Sequence, residues 1–262
     1  MMMYEICAQT DPGLVRKNNE DAVAFDADTG VCLLADGMGG YNAGEVASSM
    51  AVTFINAEMS RWLAQAGVQA TAKEICRAIE ICVENANRSI LDAAQANFNY
   101  QGMGTTLVVG VFQEHRLIVG HVGDSRCYRL RGQELLQITK DHSLLQEQID
   151  AGLLTPRQSL TALNRNLITR ALGVDGVQLE TYEYRVEPGD TYLMCSDGLS
   201  DMVGDEDIAI ILRNPRSTME YKKLALLEAA KRGGGRDNIS VVLIQAIEDS
   251  SRRGLLSRML GK

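Results

Sequence analysis

Short apolar runs that alternate with turns restrict the fold of this chain more than any other feature of its sequence. Runs of four to seven residues, each typical of a strand, lie at Ala22–Phe25, Val31–Ala35, Thr106–Phe112, Leu117–His121, Arg126–Leu130, Thr191–Cys195 and Ile239–Ile244. The turn Asp26–Gly30 and the short gaps after Phe112 and His121 leave no room for a crossover helix. The sequence therefore predicts antiparallel hairpins and not repeated strand–helix–strand units.

Helical periodicity predicts long helices around these strands. The first has apolar residues at Val46, Met50 and Phe54, beside Ala43, Ala47, Ala51 and Ile55. The second spans about residues 70–96, with a stripe of Ile75, Ile79, Cys82, Ala86 and Ile90. A third covers about residues 218–231, and the polar residues 143–172 are expected to form a helix-and-loop excursion. The expected architecture is one domain of strands with flanking helices.

The net charge limits the class of partner. The 262 residues carry a formal net charge of −8 at pH 7, which disfavours binding to nucleic acid or to anionic lipid. No apolar run approaches the ~20 residues of a membrane span, and the N-terminal residues lack the pattern of a signal peptide. We therefore expect a cytoplasmic protein with no stable membrane insertion.

Cysteine and zinc chemistry are both disfavoured. The six cysteines form no Cys-x-x-Cys pair, so reduced core residues are expected, and three histidines without ligand spacing argue against zinc. Residues 82–88 satisfy a bare Cys-x₅-Arg phosphatase pattern, but Glu84 would repel phosphate and Cys82 lies on the helix stripe. Core packing is therefore predicted for Cys82, and a structural hydrogen bond is favoured over catalysis for His142.

Acidic residues stand at the ends of several predicted strands. These residues are Glu20, Asp21, Asp36, Asp124, Asp197 and Asp237. An isolated Asp-Gly pair such as Asp36-Gly37 is most simply a turn. If the strand ends meet at one rim, however, several carboxylates converge, and their repulsion is costly unless a cation neutralises it. Carboxylate oxygens suit hard cations, so the pattern predicts Mg²⁺ or Mn²⁺.

Six ordered blocks resemble the signature blocks of the type-2C metal-dependent protein serine/threonine phosphatases, most closely the compact bacterial members. They are Arg16-Lys-Asn-Asn-Glu20-Asp21, Asp36-Gly-Met-Gly-Gly40, Gly104-Thr-Thr106, Gly123-Asp-Ser-Arg126, Ser196-Asp-Gly-Leu199 and Arg236-Asp-Asn238. Asp141-His-Ser143 and Thr169-Arg-Ala-Leu-Gly173 match as well, and the resemblance covers about residues 9–245. It implies an α+β fold, a sandwich of two antiparallel β-sheets flanked by helical layers on both faces. The implied domain spans residues 1–247, with a flap at about 143–170 and a short basic tail at 248–262.

The resemblance also implies roles for individual residues. The implied metal ligands are Glu20, Asp21, Asp36, Gly37 through its carbonyl, Asp124, Asp197 and Asp237. Asp36 resembles the aspartate that bridges two ions, and Asp197 and Asp237 resemble the other ligands of the first ion. Asp124 resembles the residue that, with Asp197, holds a third, weaker ion. Arg16 resembles the clamp that binds the substrate phosphate.

The implied activity is in-line hydrolysis of phosphoserine and phosphothreonine by metal-activated water, without a phosphoenzyme. The cofactors would be two core Mn²⁺ or Mg²⁺ ions and a third weaker one. The implied partners are phosphorylated proteins, among them a Hanks-type serine/threonine kinase and its substrates, and a monomer is expected. The alternative is a non-catalytic phosphoprotein-binding regulator, which is disfavoured because no ligand position is lost. Tyr41 replaces the histidine of many bacterial relatives, so the source of the leaving-group proton stays open.

Overall fold

Two antiparallel β-sheets form the centre of the described chain, which comprises residues 2–40, 43–155, 158 and 167–248 of a computed structural model. The strands are β1 (Met2–Asp11), β2 (Asp21–Asp26), β3 (Val31–Met38), β4 (Gly104–Thr105), β5 (Leu107–Gln113), β6 (Arg116–Val122), β7 (Arg126–Arg131), β8 (Glu134–Gln137), β9 (Glu180–Arg185), β10 (Thr191–Cys195) and β11 (Ile239–Glu248). One sheet has the order β1-β11-β10-β7-β8, and the other has the order β2-β3-β5-β6-β9 with β4 beside β3. The predicted antiparallel pairing is confirmed at every strand pair in these sheets.

Helices cover the outer face of each sheet. The α-helices of the described residues are α1 (Ala43–Ala66), α2 (Ala72–Ala96), α3 (Leu144–Asp150), α4 (Asp197–Ser200), α5 (Asp205–Arg213) and α6 (Met219–Arg232), and all except α3 contribute buried residues to this packing. One apolar cluster joins α1 and α2 to the β3-containing sheet, and a second joins α4, α5 and α6 to the β10-containing sheet. A third cluster fills the space between the sheets, with Leu34 and Phe112 from one side and Tyr192 and Ile244 from the other. The predicted α-β-β-α sandwich is therefore confirmed.

Burial on both faces explains why the central strands have continuous apolar runs. All five residues of Val31–Ala35 are fully buried, because α1 and α2 cover one face and the second sheet covers the other. The strands that the sequence did not predict are β1, β4, β8 and β9. Three of them, β1, β8 and β9, lie at sheet edges, and β4 has only two residues beside β3. In β9 every residue is half-buried or exposed, and the strand is largely polar, so it lacks the apolar signal used for the others.

The two long helices differ in how they face the sheet. In α2 the predicted stripe is confirmed, since all five of its residues are buried, and a capping box at Thr71 and Glu74 begins the helix. Of the α1 residues in the predicted pattern, Ala43, Ala47, Ala51 and Ile55 are fully buried, whereas the larger Val46, Met50 and Phe54 are only partly buried. Small residues are required there because a Cβ on Gly37 would lie 2.2 Å from the Gly44 carbonyl oxygen.

The cysteines occupy core positions, as predicted. All six are free thiols and five are buried. Burial raises the pKa of Cys82 to about 11, which excludes a reactive thiolate near neutral pH. Among the described residues, no helix is long and apolar enough to cross a bilayer. Part of the predicted flap (residues 156–157 and 159–166), nearly all of the tail (residues 249–262) and Tyr41 lie outside the described residues.

Candidate metal centre

The β2–β3 hairpin brings the first two aspartates together. Asp21 and Asp36 are directly paired across the antiparallel ladder, so their side chains share one face of the sheet. Glu20 precedes this pair, and its carbonyl oxygen accepts hydrogen bonds from the Gly37 amide at 3.1 Å and the Ser48 hydroxyl at 2.6 Å. The N-terminal part of α1 thereby packs against the hairpin end, beside the predicted Gly37 ligand.

The second sheet contributes Asp197 and Asp237 at the same rim. Asp197 follows β10 and begins α4, while Asp237 lies just before β11, which pairs with β10. The two segments are in close contact, since a Cβ on Gly198 would lie 1.9 Å from the Asn238 carbonyl oxygen. The sheets are linked here because the Ser196 hydroxyl donates to Asp21 Oδ2 at 2.8 Å.

Asp124 reaches the rim on a tight turn after β6. Gly123 has φ +106°, and a Cβ there would lie 2.6 Å from Thr106 Cγ2, so glycine is required. Thr106 also receives a hydrogen bond from the Asp36 amide at 2.9 Å and lies 2.8 Å from the Ser125 hydroxyl. One threonine side chain thus places the Asp124 turn against the backbone of Asp36.

The electrostatics show that five aspartates form one cluster. Burial raises the pKa of Asp36 well above its usual range, and the charges of Asp21, Asp197, Asp124 and Asp237 raise it further. The pKa of Asp197 is raised to about 8, mainly by burial and further by the charges of Asp124 and Asp237. The pKa values of Asp21 and Asp124 are each raised to about 6, again mainly by burial. In the absence of a cation, the cluster therefore resists ionisation.

Unused ligand atoms indicate that this cluster fits cations. Asp21 Oδ1 and Asp124 Oδ1 are buried and have no hydrogen-bond partner. Among the described residues, the five aspartates form one ion pair with a basic side chain, between Asp237 Oδ2 and Arg16 Nη2 at 2.7 Å. One guanidinium cannot neutralise five carboxylates, whereas hard divalent cations bind such oxygen-rich sets. Glu20 lies at the edge of the cluster. Burial raises its pKa, and the charge of Arg16 offsets part of that rise.

Several residues that support the site were not predicted as site residues. Asn238 accepts from the Glu20 amide at 2.8 Å and donates to the carbonyl oxygens of Pro12 and Asn18 at 3.2 and 2.9 Å, which holds the loop carrying Arg16. Asp201 lines a small cavity with Asp124 and Asp197 and raises the pKa of both. Its only sequence signal was its position two residues after the block that ends at Leu199.

Replacing Arg16 by alanine is expected to raise the KM for a phosphopeptide roughly tenfold, about 1.4 kcal/mol, with a smaller change in kcat. The guanidinium is half-exposed at the rim and can bind phosphate oxygens by charge-assisted hydrogen bonds. Steady-state kinetics would test this, with the exposed neighbour Lys17→Ala as the control for loss of one positive charge. An unchanged KM for Arg16→Ala would place the side chain outside the phosphate site.

Comparison with known proteins settles the family. The family profile described as "Protein phosphatase 2C" matches residues 15–226. The chain belongs to the protein phosphatase 2C family. The serine/threonine phosphatase stp of Listeria monocytogenes is 35% identical over 250 residues, which cover 94% of this chain and 96% of that protein.

Solved structures of other phosphatases superpose on the whole domain. The serine/threonine phosphatase of S. agalactiae is 36% identical, with a TM-score of 0.85 over 94% of this chain and 100% of that one. The catalytic domain of the phosphatase PstP, in complex with two manganese ions, is 38% identical with a TM-score of 0.82 over 95% of this chain and 100% of that one. This protein phosphatase 2C member is a metal-dependent serine/threonine protein phosphatase, and the predicted hydrolase activity and Mn²⁺ or Mg²⁺ cofactors are confirmed.

Proposed function

We propose that the five clustered aspartates, with Glu20 and the Gly37 carbonyl, hold the cations with which this phosphatase hydrolyses phosphoserine and phosphothreonine in proteins. The observation that carries the proposal is the convergence of these aspartates at one rim with raised pKa values and unpartnered oxygens. Asp36 would bridge two ions, Asp197 and Asp237 would complete one site, and Glu20 and Asp21 would serve the pair. When bound, such ions activate water as a nucleophile and neutralise charge on the phosphoryl group.

The protein's own residues would orient the substrate. Arg16 lies at the open edge of the rim, where Asp237 holds its guanidinium at 2.7 Å. Asn238 supports both partners of this ion pair. Its backbone amide donates to Asp237 Oδ1 at 2.9 Å, and its side chain holds the loop that carries Arg16 by donating to the Asn18 carbonyl oxygen. A phosphate that binds Arg16 is thereby held beside the carboxylate cluster, and positioning of this kind supplies much of phosphoryl-transfer catalysis.

Hydrolysis of a phosphothreonine peptide and of p-nitrophenyl phosphate, titrated with Mn²⁺ and with Mg²⁺, tests the proposal. Activity with both substrates that requires the added metal is expected. A non-catalytic regulator on this fold would bind the phosphopeptide but release no phosphate with either metal. Activity that survives exhaustive chelation would contradict the assignment of the aspartates.

Replacing Asp124 by alanine is expected to preserve tight binding of two ions but to lower kcat about tenfold or more, because a third cation site is lost. The geometry that motivates this is the cavity shared by Asp124, Asp197 and Asp201. Metal stoichiometry by calorimetry and turnover across Mn²⁺ concentrations would be compared with those of the exposed control Asp175→Ala. Equal activity of Asp124→Ala and wild type at every Mn²⁺ concentration would remove the third site.

The biological setting is proposed from the resemblance and the composition. The substrates would be phosphorylated cytoplasmic proteins, including a Hanks-type kinase that the phosphatase opposes, and the protein would act as a monomer. The net charge of −8 disfavours nucleic acid as a partner. Dephosphorylation of an autophosphorylated kinase and a molar mass from light scattering would test the partner and the oligomeric state separately.

A further inference from the structure

Two sequence blocks that match the family contain none of the proposed metal ligands, although Asp141 and Ser143 line the cavity beside Asp124. They are Asp141-His-Ser143 and Thr169-Arg-Ala-Leu-Gly173. The structure brings them together, since the Thr169 amide donates to the His142 carbonyl oxygen at 2.9 Å and Ser143 forms a β-bridge with Ile168. His142 is 5% exposed and lies at the centre of this junction.

His142 contacts the Asp124 turn through two hydrogen bonds. Its backbone amide donates to the Gly123 carbonyl oxygen at 2.9 Å, and the Gly123 amide donates to its ring Nδ1 at 3.1 Å. The other side of the turn lies against Thr106, which leaves no space for a Cβ on Gly123. The conformation that presents Asp124 is therefore fixed between one threonine side chain and one histidine ring.

The second ring nitrogen of His142 is held by a carboxylate. Because Nδ1 accepts from Gly123, the neutral ring carries its proton on Nε2, which lies 3.2 Å from Glu180 Oε1. Glu180 is itself oriented by Arg170, at 2.7 Å from Oε1, and by the Tyr182 hydroxyl, at 2.6 Å from Oε2. The edge strand β9 and the second block thus set the orientation of the ring.

A metal site at this cluster is the competing interpretation. One potential ligand atom from each of His121, His142 and Glu180 lies within 4.8 Å of the others. However, His121 Nε2 must donate to the Lys140 carbonyl oxygen at 2.7 Å, and His142 Nε2 carries the proton that faces Glu180. The Arg170 guanidinium also already neutralises Glu180. Of the two rings, only His121 Nδ1 keeps a free lone pair, since it is buried with no hydrogen-bond partner. One nitrogen beside a carboxylate that is already neutralised is fewer than the three or four protein ligands of a zinc site.

We propose that His142 is a positioning residue that fixes the Gly123–Asp124 turn by accepting the Gly123 amide proton, with its ring aligned by Glu180. The consequence for catalysis rests on the assignment of Asp124 to a cation site under the proposed function. The positioning itself does not, because it concerns the conformation of the metal-free protein.

Two substitutions at His142 separate the two ring contacts. In His142→Asn the amide oxygen lies close to the position of Nδ1 and can still accept from Gly123, whereas in His142→Gln the amide lies close to the position of Nε2 and can reach only Glu180. The matched control is Asn87→Ala, which removes a buried side chain that accepts from the Gly173 amide at 2.6 Å and donates to the Val174 carbonyl oxygen at 2.9 Å. Both of these hydrogen bonds go to residues outside the Asp124 turn.

The first measurement is hydrogen exchange of the Gly123 amide in chelated protein, resolved by NMR. Exchange in His142→Gln is expected to be about tenfold faster than in wild type, and in His142→Asn within about threefold. In Asn87→Ala it should stay near the wild-type rate under conditions where all variants are folded. Wild-type exchange in His142→Gln, or equal acceleration in Asn87→Ala, would overturn the proposal.

The second measurement is the Mn²⁺ concentration for half-maximal turnover, which should rise about tenfold in His142→Gln but not in Asn87→Ala. If exchange at Gly123 responds as expected but neither the wild type nor any variant has phosphatase activity, the proposed function fails and the positioning role stands. Zn²⁺ binding by calorimetry that is lost in Glu180→Gln but retained in Asp36→Asn would establish the competing metal site and overturn the proposal.

Discussion

Replacing Asp36 by asparagine is expected to lower phosphatase turnover by at least ~10³-fold while leaving the fold intact. Asparagine has nearly the same size and keeps one oxygen, but it lacks the negative charge that balances a divalent cation. The charges of all four other aspartates of the cluster raise the pKa of the buried Asp36, so its carboxylate belongs to the charge that the cation must neutralise. The same loss is expected for Asp197→Asn and Asp237→Asn.

The measurement is kcat with a phosphothreonine peptide at saturating Mn²⁺, accompanied by circular dichroism of each variant. Asp92→Asn is the control, because Asp92 lies on an exposed part of α2 and its substitution should change turnover by less than about twofold. Near-normal turnover in any of the three cluster variants, with the control also active, would show that the catalytic ions bind elsewhere.

Chelation with EDTA is expected to abolish hydrolysis and to leave a protein whose free energy of unfolding falls as the pH rises from about 4 toward 8. Folding raises the pKa of Asp197 from 3.8 to about 8, and those of Asp21 and Asp124 to about 6. A carboxyl with a raised pKa binds its proton more tightly in the folded state. Its contribution to stability is therefore complete below the unfolded pKa and is lost as the pH rises through the folded pKa.

This linkage gives Asp197→Asn opposite effects on activity and on stability. In chelated protein at pH 8 the variant should unfold at a Tm about 3 °C or more above wild type, because a neutral amide replaces a carboxylate repelled by Asp124 and Asp237. Differential scanning calorimetry from pH 5 to 8, with and without Mn²⁺, would test this. A wild-type Tm that rises with pH in EDTA, or a less stable Asp197→Asn, would contradict the clustered charges described here.

Strand ends and acids were predictable from the sequence because they combine two strong signals. An apolar run that is buried on both faces is recognisable, and an aspartate at its end, such as Asp36 or Asp197, stands out against it. Which acids come together was not available from periodicity alone. The order and spacing of the six blocks supplied that information, through a resemblance to a family whose fold was already known.

The remainder could not be predicted because its signals are ordinary in sequence. Asn238, Ser196 and Thr106 lie within the matched blocks, but the hydrogen bonds by which they support the cluster leave no signal of their own in the sequence. The edge strand β9 carries Glu180 in a mostly polar segment with no apolar alternation. In α1 the close approach of Gly37 and Gly44 decides which residues face the sheet, and backbone proximity of this kind appears only in three dimensions.

The hydrogen bond between Ser196 and Asp21 joins residues 175 positions apart and connects the two sheets at the metal cluster. The cluster therefore has no counterpart in any partial chain, because β2 and β3 supply one half and the segments around β10 and β11 supply the other. Contacts of such long range form late and together with the rest of the domain. During synthesis, phosphatase activity would appear in one step after β11 has left the ribosome, so incomplete chains would not remove phosphate from cellular proteins.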